Sequence, residues 1–431
     1  MDWKAEYRRK RVPAEQALAA VQSGNRVVVG HAAGEPVPLV EELVRQKDRL
    51  RDVEIIHMIA LGKCEYCRDG MERHFRHNSL FAGKGSHQAL AEGRADYTPV
   101  FFSEIPRLFR DRILPVDVAL IQVSPMDRHG FMSYGVSVDY TQAAAESAGT
   151  VIAEVNAQMP RTFGSFIHVS RVHHLVETDR PLIEIPPPEI TPVEERIGRN
   201  VAELVPDGAN LQLGIGGIPD AVLKFMRGKR DLGIHTEMFS DGVVELYEQG
   251  VVTNRHNNLN PGKFTACFLL GTRRLYAFAD DNPVVDMQPV DYTNNVMVAG
   301  RLNGLVAINS AIQVDLGGQV CADTIGPRQY SGVGGQVDFV RAASQSPGGR
   351  AIIALPATAR GGAVSRIVAR LDPGACVTTS RSDVHFVVTE HGIADLRGRT
   401  LRQRAEELLK IAHPDFQERI RREAAGGGLA R

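Results

Sequence analysis

The sequence predicts an α/β protein made of two related open domains with mainly parallel sheets. Three observations support this prediction: apolar strands run into glycine-rich turns, the segment from Gly24 resembles the segment from Gly208, and a proline-rich stretch separates the two copies. Strands that alternate with helices form parallel sheets, because each helix returns the chain to the same end of the sheet. A chain of 431 residues is also long enough to bury two cores.

The internal repeat gives the order of elements in each domain. GNRVVVGHAAGEPVPLVEEL, from Gly24, aligns with GANLQLGIGGIPDAVLKFM, from Gly208, and DVEIIHM then roughly matches DLGIHTEM. Each copy reads as helix, strand, glycine turn, helix and strand. The stretch IEIPPPEITP cannot continue a helix and is expected to be an extended connector. We therefore expect domains at residues 1–186 and 187–431.

Composition argues against several classes of protein. Lysine and arginine number 50 against 51 acidic residues, so no overall field favours nucleic acid, a membrane surface or a polyanion. No run of 18 apolar residues and no signal-type N-terminus occurs, which predicts a soluble, cytoplasmic protein. Among five cysteines only Cys64 and Cys67 have metal or redox spacing. A second CxxC is lacking, so we expect no metal site and two free thiols.

Glu237, in GIHTEMFSDG, lies where an apolar run gives way to a polar turn. A lone carboxylate in such a place is commonly a solvated loop charge or a charge at a helix start. The first copy of the repeat has no carboxylate there, because Ile56, His57 and Met58 occupy the strand end. This difference between the copies makes Glu237 a candidate catalytic residue.

Two glycine loops are candidate ligand sites. Gly214, Ile215, Gly216, Gly217 and Ile218 lie between a strand and a helix, where bare backbone amides suit a phosphate or pyrophosphate. The loop matches neither GxGxxG nor a Walker motif. In SGVGGQVDF, Gly334 and Gly335 precede a strand-like VDFV and offer amides for a phosphate or an oxyanion. For either loop the alternative is a plain tight turn.

Together these motifs resemble the acetyl-CoA hydrolase/transferase family, most closely its 4-hydroxybutyrate CoA-transferase branch. The resemblance extends over nearly the whole chain and includes GHAAGEP, EGRADYTPVFFSEIP, GIGGIPDAV, GIHTEMFSDGVVELYEQG, VDYTNN, SGVGGQVDF and VTEHGIADLRGRT. It implies CoA-transferase-like α/β domains with the active site in the interdomain cleft. It also implies a covalent mechanism centred on Glu237.

The resemblance also implies roles for matching residues. The loop Gly214–Ile218 resembles part of the CoA site, and Gly334 and Gly335 resemble CoA and oxyanion contacts. Asn294 resembles an oxyanion partner, with the adjacent Asn295 as the alternative match. Two departures, His391 and His87, stand where the family often has tyrosine and arginine, and they affect the expected shape of the acid pocket.

The expected activity follows from this resemblance. It is the transfer of CoA between a short-chain acyl-CoA, such as acetyl-CoA, and a small carboxylic acid, 4-hydroxybutyrate or butyrate, through a glutamyl-CoA thioester. Coenzyme A is then a substrate, no tightly bound cofactor or metal is expected, and the family implies a homo-oligomer that binds neither nucleic acid nor membrane. Two alternatives are an acyl-CoA hydrolase on the same site and a non-catalytic CoA-binding protein. The intact motif around Glu237 argues against the second.

A serine or cysteine thioesterase is not supported, because the chain lacks GxSxG. Three histidines at predicted strand ends, His31, His57 and His235, either line the acid pocket or are structural.

Overall fold

The computed structural model describes residues 2–425. The sequence predicts a frayed tail for the C-terminal stretch AAGGGLAR, which lies outside the described residues from Gly426 onward. The chain forms two compact units. The first unit comprises the residues up to Ile185 together with Thr265–Thr293, and the second comprises Pro186–Phe264 together with the residues from Asn294. The domain boundary between residues 186 and 187 stays a prediction.

The helices and strands are as follows. The α-helices are α1 (Trp3–Lys10), α2 (Ala14–Leu18), α3 (Val37–Arg45), α4 (His87–Ala91), α5 (Ile105–Arg110), α6 (Thr141–Ser147), α7 (Pro192–Glu203), α8 (Gly217–Phe225), α9 (Asp241–Glu248), α10 (Arg273–Ala279), α11 (Val290–Thr293), α12 (Val296–Ala299), α13 (Gln336–Gln345), α14 (Leu401–Ile411) and α15 (Pro414–Ala425). The strands are β1 (Arg26–Val29), β2 (Val53–His57), β3 (Phe75–Ser79), β4 (Ala95–Tyr97), β5 (Val118–Val123), β6 (Phe131–Ser133), β7 (Thr150–Asn156), β8 (Phe166–His168), β9 (His174–Thr178), β10 (Asn210–Leu213), β11 (Gly233–Ile234), β12 (Met238–Phe239), β13 (Phe264–Ala266), β14 (Phe268–Leu269), β15 (Val285–Met287), β16 (Leu305–Ser310), β17 (Gln313–Asp315), β18 (Val320–Cys321), β19 (Thr324–Ile325), β20 (Arg328–Gln329), β21 (Arg350–Ala354), β22 (Thr358–Ala359), β23 (Val364–Ser365), β24 (Ile367–Val368), β25 (Phe386–Thr389) and β26 (Gly392–Asp395).

The first unit is built on a seven-stranded sheet in the order β4-β3-β2-β1-β5-β7-β9. Every neighbouring pair in it is parallel. Its interior strand β5 has the sequence VALIQV, and all six of its residues are buried. A continuous apolar run is typical of a parallel strand covered on both faces.

The second unit is built on a six-stranded sheet in the order β11-β10-β16-β21-β25-β26. Its first four pairings are parallel, and the edge pair of β25 and β26 is antiparallel. Only Glu390 and His391 separate these two strands, and so short a connection permits no parallel crossover. The predicted α/β fold with mainly parallel sheets is confirmed.

The two copies of the repeat occupy equivalent places in their sheets. In the first unit β1 lies between β2 and β5, and in the second unit β10 lies between β11 and β16. In both units the glycine turn follows this interior strand and leads to a helix, α3 or α8. The repeat therefore predicts the local connectivity of both sheets correctly.

The strand-like interpretation of VDFV was wrong, because these residues lie in the first turns of α13. Phe339, Val340 and Ala343 are buried in the core at the i, i+1, i+4 spacing of a helix face. An apolar run of four residues does not distinguish a buried strand from a helix. Packing of Phe339 and Val340 into the core of the second unit determines the outcome.

None of the helices formed by residues 2–425 combines the length and the apolar character needed to cross a membrane.

Candidate active site

Glu237 lies between β11 and β12 in the second unit and is partly buried. The preceding residue, Thr236, is fully buried. Its hydroxyl oxygen lies 3.0 Å from the carbonyl oxygens of both Leu213 and Met238, and it accepts the Leu213 N–H at 3.3 Å. The Thr236 side chain therefore joins the end of β10 to the segment that carries Glu237.

Asn294 contacts the Glu237 carboxylate directly. Its amide nitrogen Nδ2 donates to Glu237 Oε2 at 2.9 Å, and the side chain is fully buried. The adjacent Asn295 instead uses Oδ1 to cap α12, accepting the Met297 N–H at 2.9 Å. Of the two asparagines that the sequence left open, Asn294 is the one whose amide bonds this carboxylate. This hydrogen bond holds one of the carboxylate oxygens in place.

Gly335 packs against the same carboxylate oxygen. A Cβ atom built on Gly335 would overlap Glu237 Oε2 and Asn294 Nδ2. The backbone of Gly335, with φ of −95°, is open to any residue, so space and not conformation requires glycine here. Its neighbour Gly334 has φ of +52°, which does favour glycine. The three residues predicted as catalytic thus meet at one point in the second unit.

The glycine loop from Gly214 to Ile218 begins directly after Leu213, to which Thr236 is bonded. A Cβ atom on Gly214 or Gly216 would meet nothing within 4 Å, and Gly216 has φ of +115°. Ile215, which lies between these two glycines, is 41% exposed. The loop is therefore open on the side where side chains would otherwise project.

The surroundings of this loop are acidic. A Cβ atom on Gly217 would collide with the carboxylate of Glu194. Burial, followed by the charges of Asp241 and Glu194, raises the pKa of Asp220 to about 6. Three carboxylates near one loop oppose the binding of a phosphate at that place. Binding of a phosphate or pyrophosphate to this loop stays a prediction, as does the alternative of a plain tight turn.

Two of the three strand-end histidines, His31 and His57, and the glutamate Glu35 are buried in the first unit. In the first unit, His31 Nδ1 lies 3.2 Å from Asp139 Oδ2, and His57 Nδ1 lies 2.9 Å from the Tyr66 hydroxyl. Burial, followed by the charges of neighbouring histidines, holds the pKa of His57 well below its usual value. Glu35, which sequence reasoning did not single out, is almost completely buried, and burial raises its pKa to about 7.

The Cys64 and Cys67 pair, which has metal or redox spacing in the sequence, shows no sign of a metal site. Cys64 and Cys67 are free, buried thiols, and Cys64 Sγ lies 3.6 Å from the Tyr66 hydroxyl. The hydrogen bond between the thiols lowers the pKa of Cys64. Among residues 2–425, no group of three or more His, Cys, Asp or Glu side chains is arranged to hold a metal ion.

His235, His87 and His391 have different surroundings. His235 is buried in the second unit, with its ring 6.4 Å from that of Phe339. His87 begins α4, and His391 Nε2 lies 3.7 Å from Glu390 Oε1.

Comparison with known proteins identifies the family to which the chain belongs. Residues 1–186 match the acetyl-CoA hydrolase/transferase N-terminal domain, and residues 271–424 match the C-terminal domain of the same family. The chain is 56% identical to the 4-hydroxybutyrate coenzyme A transferase of Clostridium kluyveri, over 98% of this chain and 99% of that protein.

Solved structures agree with this assignment. The crystal structure of a 4-hydroxybutyrate CoA-transferase from Porphyromonas gingivalis matches with a TM-score of 0.83 and 41% identity, over 99% of this chain and all of that one. The structure of RipA from Yersinia pestis matches with a TM-score of 0.95 and 36% identity over the full length of both chains. An acetyl-CoA hydrolase of Eremothecium gossypii is 31% identical, but over only 52% of this chain and 41% of that protein. The chain is therefore an enzyme of the CoA-transferase class and belongs to the acetyl-CoA hydrolase/transferase family.

Proposed function

We propose that this enzyme moves CoA between a short-chain acyl-CoA and a small carboxylic acid through a covalent thioester on Glu237. The observation that supports this most strongly is the contact of Asn294 and Gly335 with a single oxygen of the Glu237 carboxylate. A carboxylate that is only a surface charge does not need a buried amide donor and a glycine without space for a side chain.

The carboxylate of Glu237 begins the reaction by attacking the thioester carbonyl of the donor acyl-CoA. The carbon–sulfur bond breaks, which gives a mixed anhydride of the donor acid with Glu237 and a CoA thiolate. The thiolate then attacks the glutamyl carbonyl and releases the donor acid, leaving glutamyl-CoA. An incoming carboxylate attacks glutamyl-CoA, and the same two steps in reverse produce the new acyl-CoA and restore Glu237.

Each of these attacks creates a tetrahedral oxyanion that needs hydrogen-bond donors. Gly335 is the N-cap of α13, and the first amides of a helix have no partner within the helix. The Gln336 N–H donates to the Val333 carbonyl at 3.2 Å, so we assign the oxyanion role to the backbone amide of Gly335, which lies beside the reacting carboxylate. The Asn294 amide supplies a second donor on the glutamyl side. One such donor contributes about 3 kcal/mol to transition-state stabilisation in comparable sites. No metal ion or redox group is needed for these steps.

The Gly214–Ile218 loop is proposed to bind the pantetheine arm of CoA. The sulfur must reach Glu237, and Thr236 bonds the strand end that precedes the loop. The part of CoA next to the sulfur is the pantetheine chain, whose amides carry no charge and can bond to open backbone. The carboxylates of Glu194, Asp220 and Asp241 disfavour the phosphates at this point and leave them to another surface.

Acetyl-CoA with 4-hydroxybutyrate or butyrate is the proposed substrate pair, because the 56% identical relative is named for 4-hydroxybutyrate and two further relatives that match along nearly the whole chain are named for butyrate or butyryl-CoA. Two other relatives, 46% and 45% identical, are named for succinyl-CoA with cyclohexane-1-carboxylate or with acetate, and these acids belong in the same substrate panel. An acyl-CoA hydrolase would use water in place of the second acid. The expected cytoplasmic location, homo-oligomeric state and lack of nucleic-acid or membrane partners remain predictions.

A labelling experiment tests the proposal. Incubation with acetyl-CoA and no acceptor should add CoA to the peptide that contains Glu237, and borohydride should reduce the thioester and inactivate the enzyme. Glu237→Gln should prevent labelling and turnover while still binding CoA, because a neutral amide cannot make the initial attack. Full turnover by Glu237→Gln, with deamidation excluded by mass spectrometry, would contradict the mechanism. Release of CoA without any second acid would favour the hydrolase.

A further inference from the structure

Gln336, the first residue of α13, has both ends of its side chain bonded to other elements. Its amide nitrogen Nε2 donates to the carbonyl oxygen of Ser310 at 2.6 Å. Its Oε1 accepts the Thr379 hydroxyl at 2.9 Å. A backbone carbonyl can only accept, so these two partners determine the orientation of the carboxamide.

Both partners of Gln336 are held firmly. Ser310 is the last residue of β16, a central strand of the six-stranded sheet. Thr379 is fully buried, and its backbone exchanges two hydrogen bonds of 3.1 Å with Val320. The Gln336 side chain therefore ties the start of α13 to two separate parts of the sheet framework of the second unit.

The start of α13 has no side-chain cap of its own. Its N-cap is Gly335, which has no side chain and so provides no capping hydrogen bond. The same glycine lies against Glu237 Oε2 without space for a further carbon atom. Even a small displacement of the helix start would therefore change the distance between its backbone amides and the carboxylate.

We propose that Gln336 and Thr379 are positioning residues that hold Gly335 and the start of α13 at the correct distance from Glu237. Neither side chain touches the reacting atoms. Thr379 orients Gln336, and Gln336 fixes the backbone that supplies the oxyanion donors. This inference rests on the proposed function, because it assigns the effect to the reaction at Glu237.

The test compares Thr379→Val with Thr379→Ser. Valine keeps the shape of threonine but removes the hydroxyl donor, whereas serine keeps the donor. Thr379→Val should lower kcat by about 10- to 100-fold, the effect of a slightly misplaced catalytic group, and leave KM for acyl-CoA unchanged. The rate at which CoA labels Glu237 should fall in parallel, and Thr379→Ser should restore both rates. Gln336→Met should give the same result and replaces Thr379→Val if that variant does not fold.

Ser346→Ala is the matched control, because Ser346 caps the other end of the same helix. Its hydroxyl donates to the Leu302 carbonyl at 2.6 Å and accepts the Leu305 N–H at 3.0 Å. This variant should lower the melting temperature without changing the labelling rate.

The possible outcomes separate the two proposals. Wild-type labelling rates in both Thr379→Val and Gln336→Met would overturn the positioning role and leave the proposed function intact. A slow Thr379→Ser variant would also overturn it, because the hydroxyl would then not be the determining group. If wild-type Glu237 takes no label, the proposed function fails and this inference fails with it.

Discussion

Replacing Gly335 with alanine should reduce turnover strongly while the protein still folds. The added Cβ atom would overlap Glu237 Oε2 and Asn294 Nδ2, so the carboxylate, the amide or the helix start must move. Backbone strain does not contribute, since φ at this position is −95°. Overpacking of this kind costs about 1–3 kcal/mol.

The catalytic loss should exceed the loss of stability. Loss of one oxyanion donor costs about 3 kcal/mol, or a factor of about 100 in kcat. We therefore expect kcat of Gly335→Ala to fall by at least about 100-fold, whereas the midpoint of chemical denaturation should shift only moderately. Initial rates of CoA exchange between acetyl-CoA and butyrate, measured alongside urea unfolding, give both quantities.

Gly228→Ala provides the control for this experiment. Gly228 belongs to the same unit, and a Cβ atom there would meet nothing within 4 Å. Its turnover should match that of the wild type. If Gly335→Ala is folded and as active as Gly228→Ala, the close packing of Gly335 on the carboxylate has no catalytic meaning and the assigned geometry is wrong.

Three further predictions concern other residues. Asn294→Ala should lower kcat by about 10- to 100-fold, because hydrogen bonds to charged groups contribute about 1.5–3 kcal/mol, and stopped-flow labelling of Glu237 should show the same loss. Glu35→Gln should flatten the pH dependence of the free energy of unfolding. The folded pKa of Glu35 is about 7, above its unfolded value near 4.3. Wild-type Glu35 therefore favours folding below pH 4.3, and this contribution is lost as pH rises to 7. Urea unfolding at pH 5 and pH 8 measures this, and an equal slope in both proteins would assign the effect to another group. Gly30→Ala should cost about 1–3 kcal/mol of stability without changing KM for acyl-CoA. Gly214→Ala should raise this KM at unchanged stability. The reverse pattern would contradict our description of the two turns.

Local sequence patterns predicted the parts of the fold that depend on local interactions. Apolar runs such as VALIQV gave buried parallel strands, and glycine turns appeared where the repeat placed them. The carboxylate of Glu237 could be singled out because the other copy of the repeat lacks it. The pattern failed at VDFV, where burial of Phe339 in the core and not the short apolar run determines a helix.

The contacts that complete the candidate site could not be predicted, because they join residues far apart in sequence. Asn294 and Asn295 are chemically identical neighbours, and only the tertiary fold determines which one bonds Glu237 and which one caps α12. Thr379 belongs to no motif, yet its hydroxyl holds Gln336. Sequence could have drawn attention to Gln336 through its place directly after two glycines at an element boundary.

The glycine turns of the two copies of the repeat differ in how closely the chain packs around them. At Gly30 a Cβ atom would lie 2.9 Å from the Gly34 carbonyl oxygen and within 3.5 Å of Pro36 and Leu120, so the chain itself fills this side of the turn. At the matching Gly214 the same position is empty to 4 Å. Glycine is required at Gly30 because neighbouring backbone is too close, but that reason does not apply to Gly214. Packing does not require glycine in this open turn. Its bare backbone is explained if a substrate occupies the space that the first copy fills with its own chain.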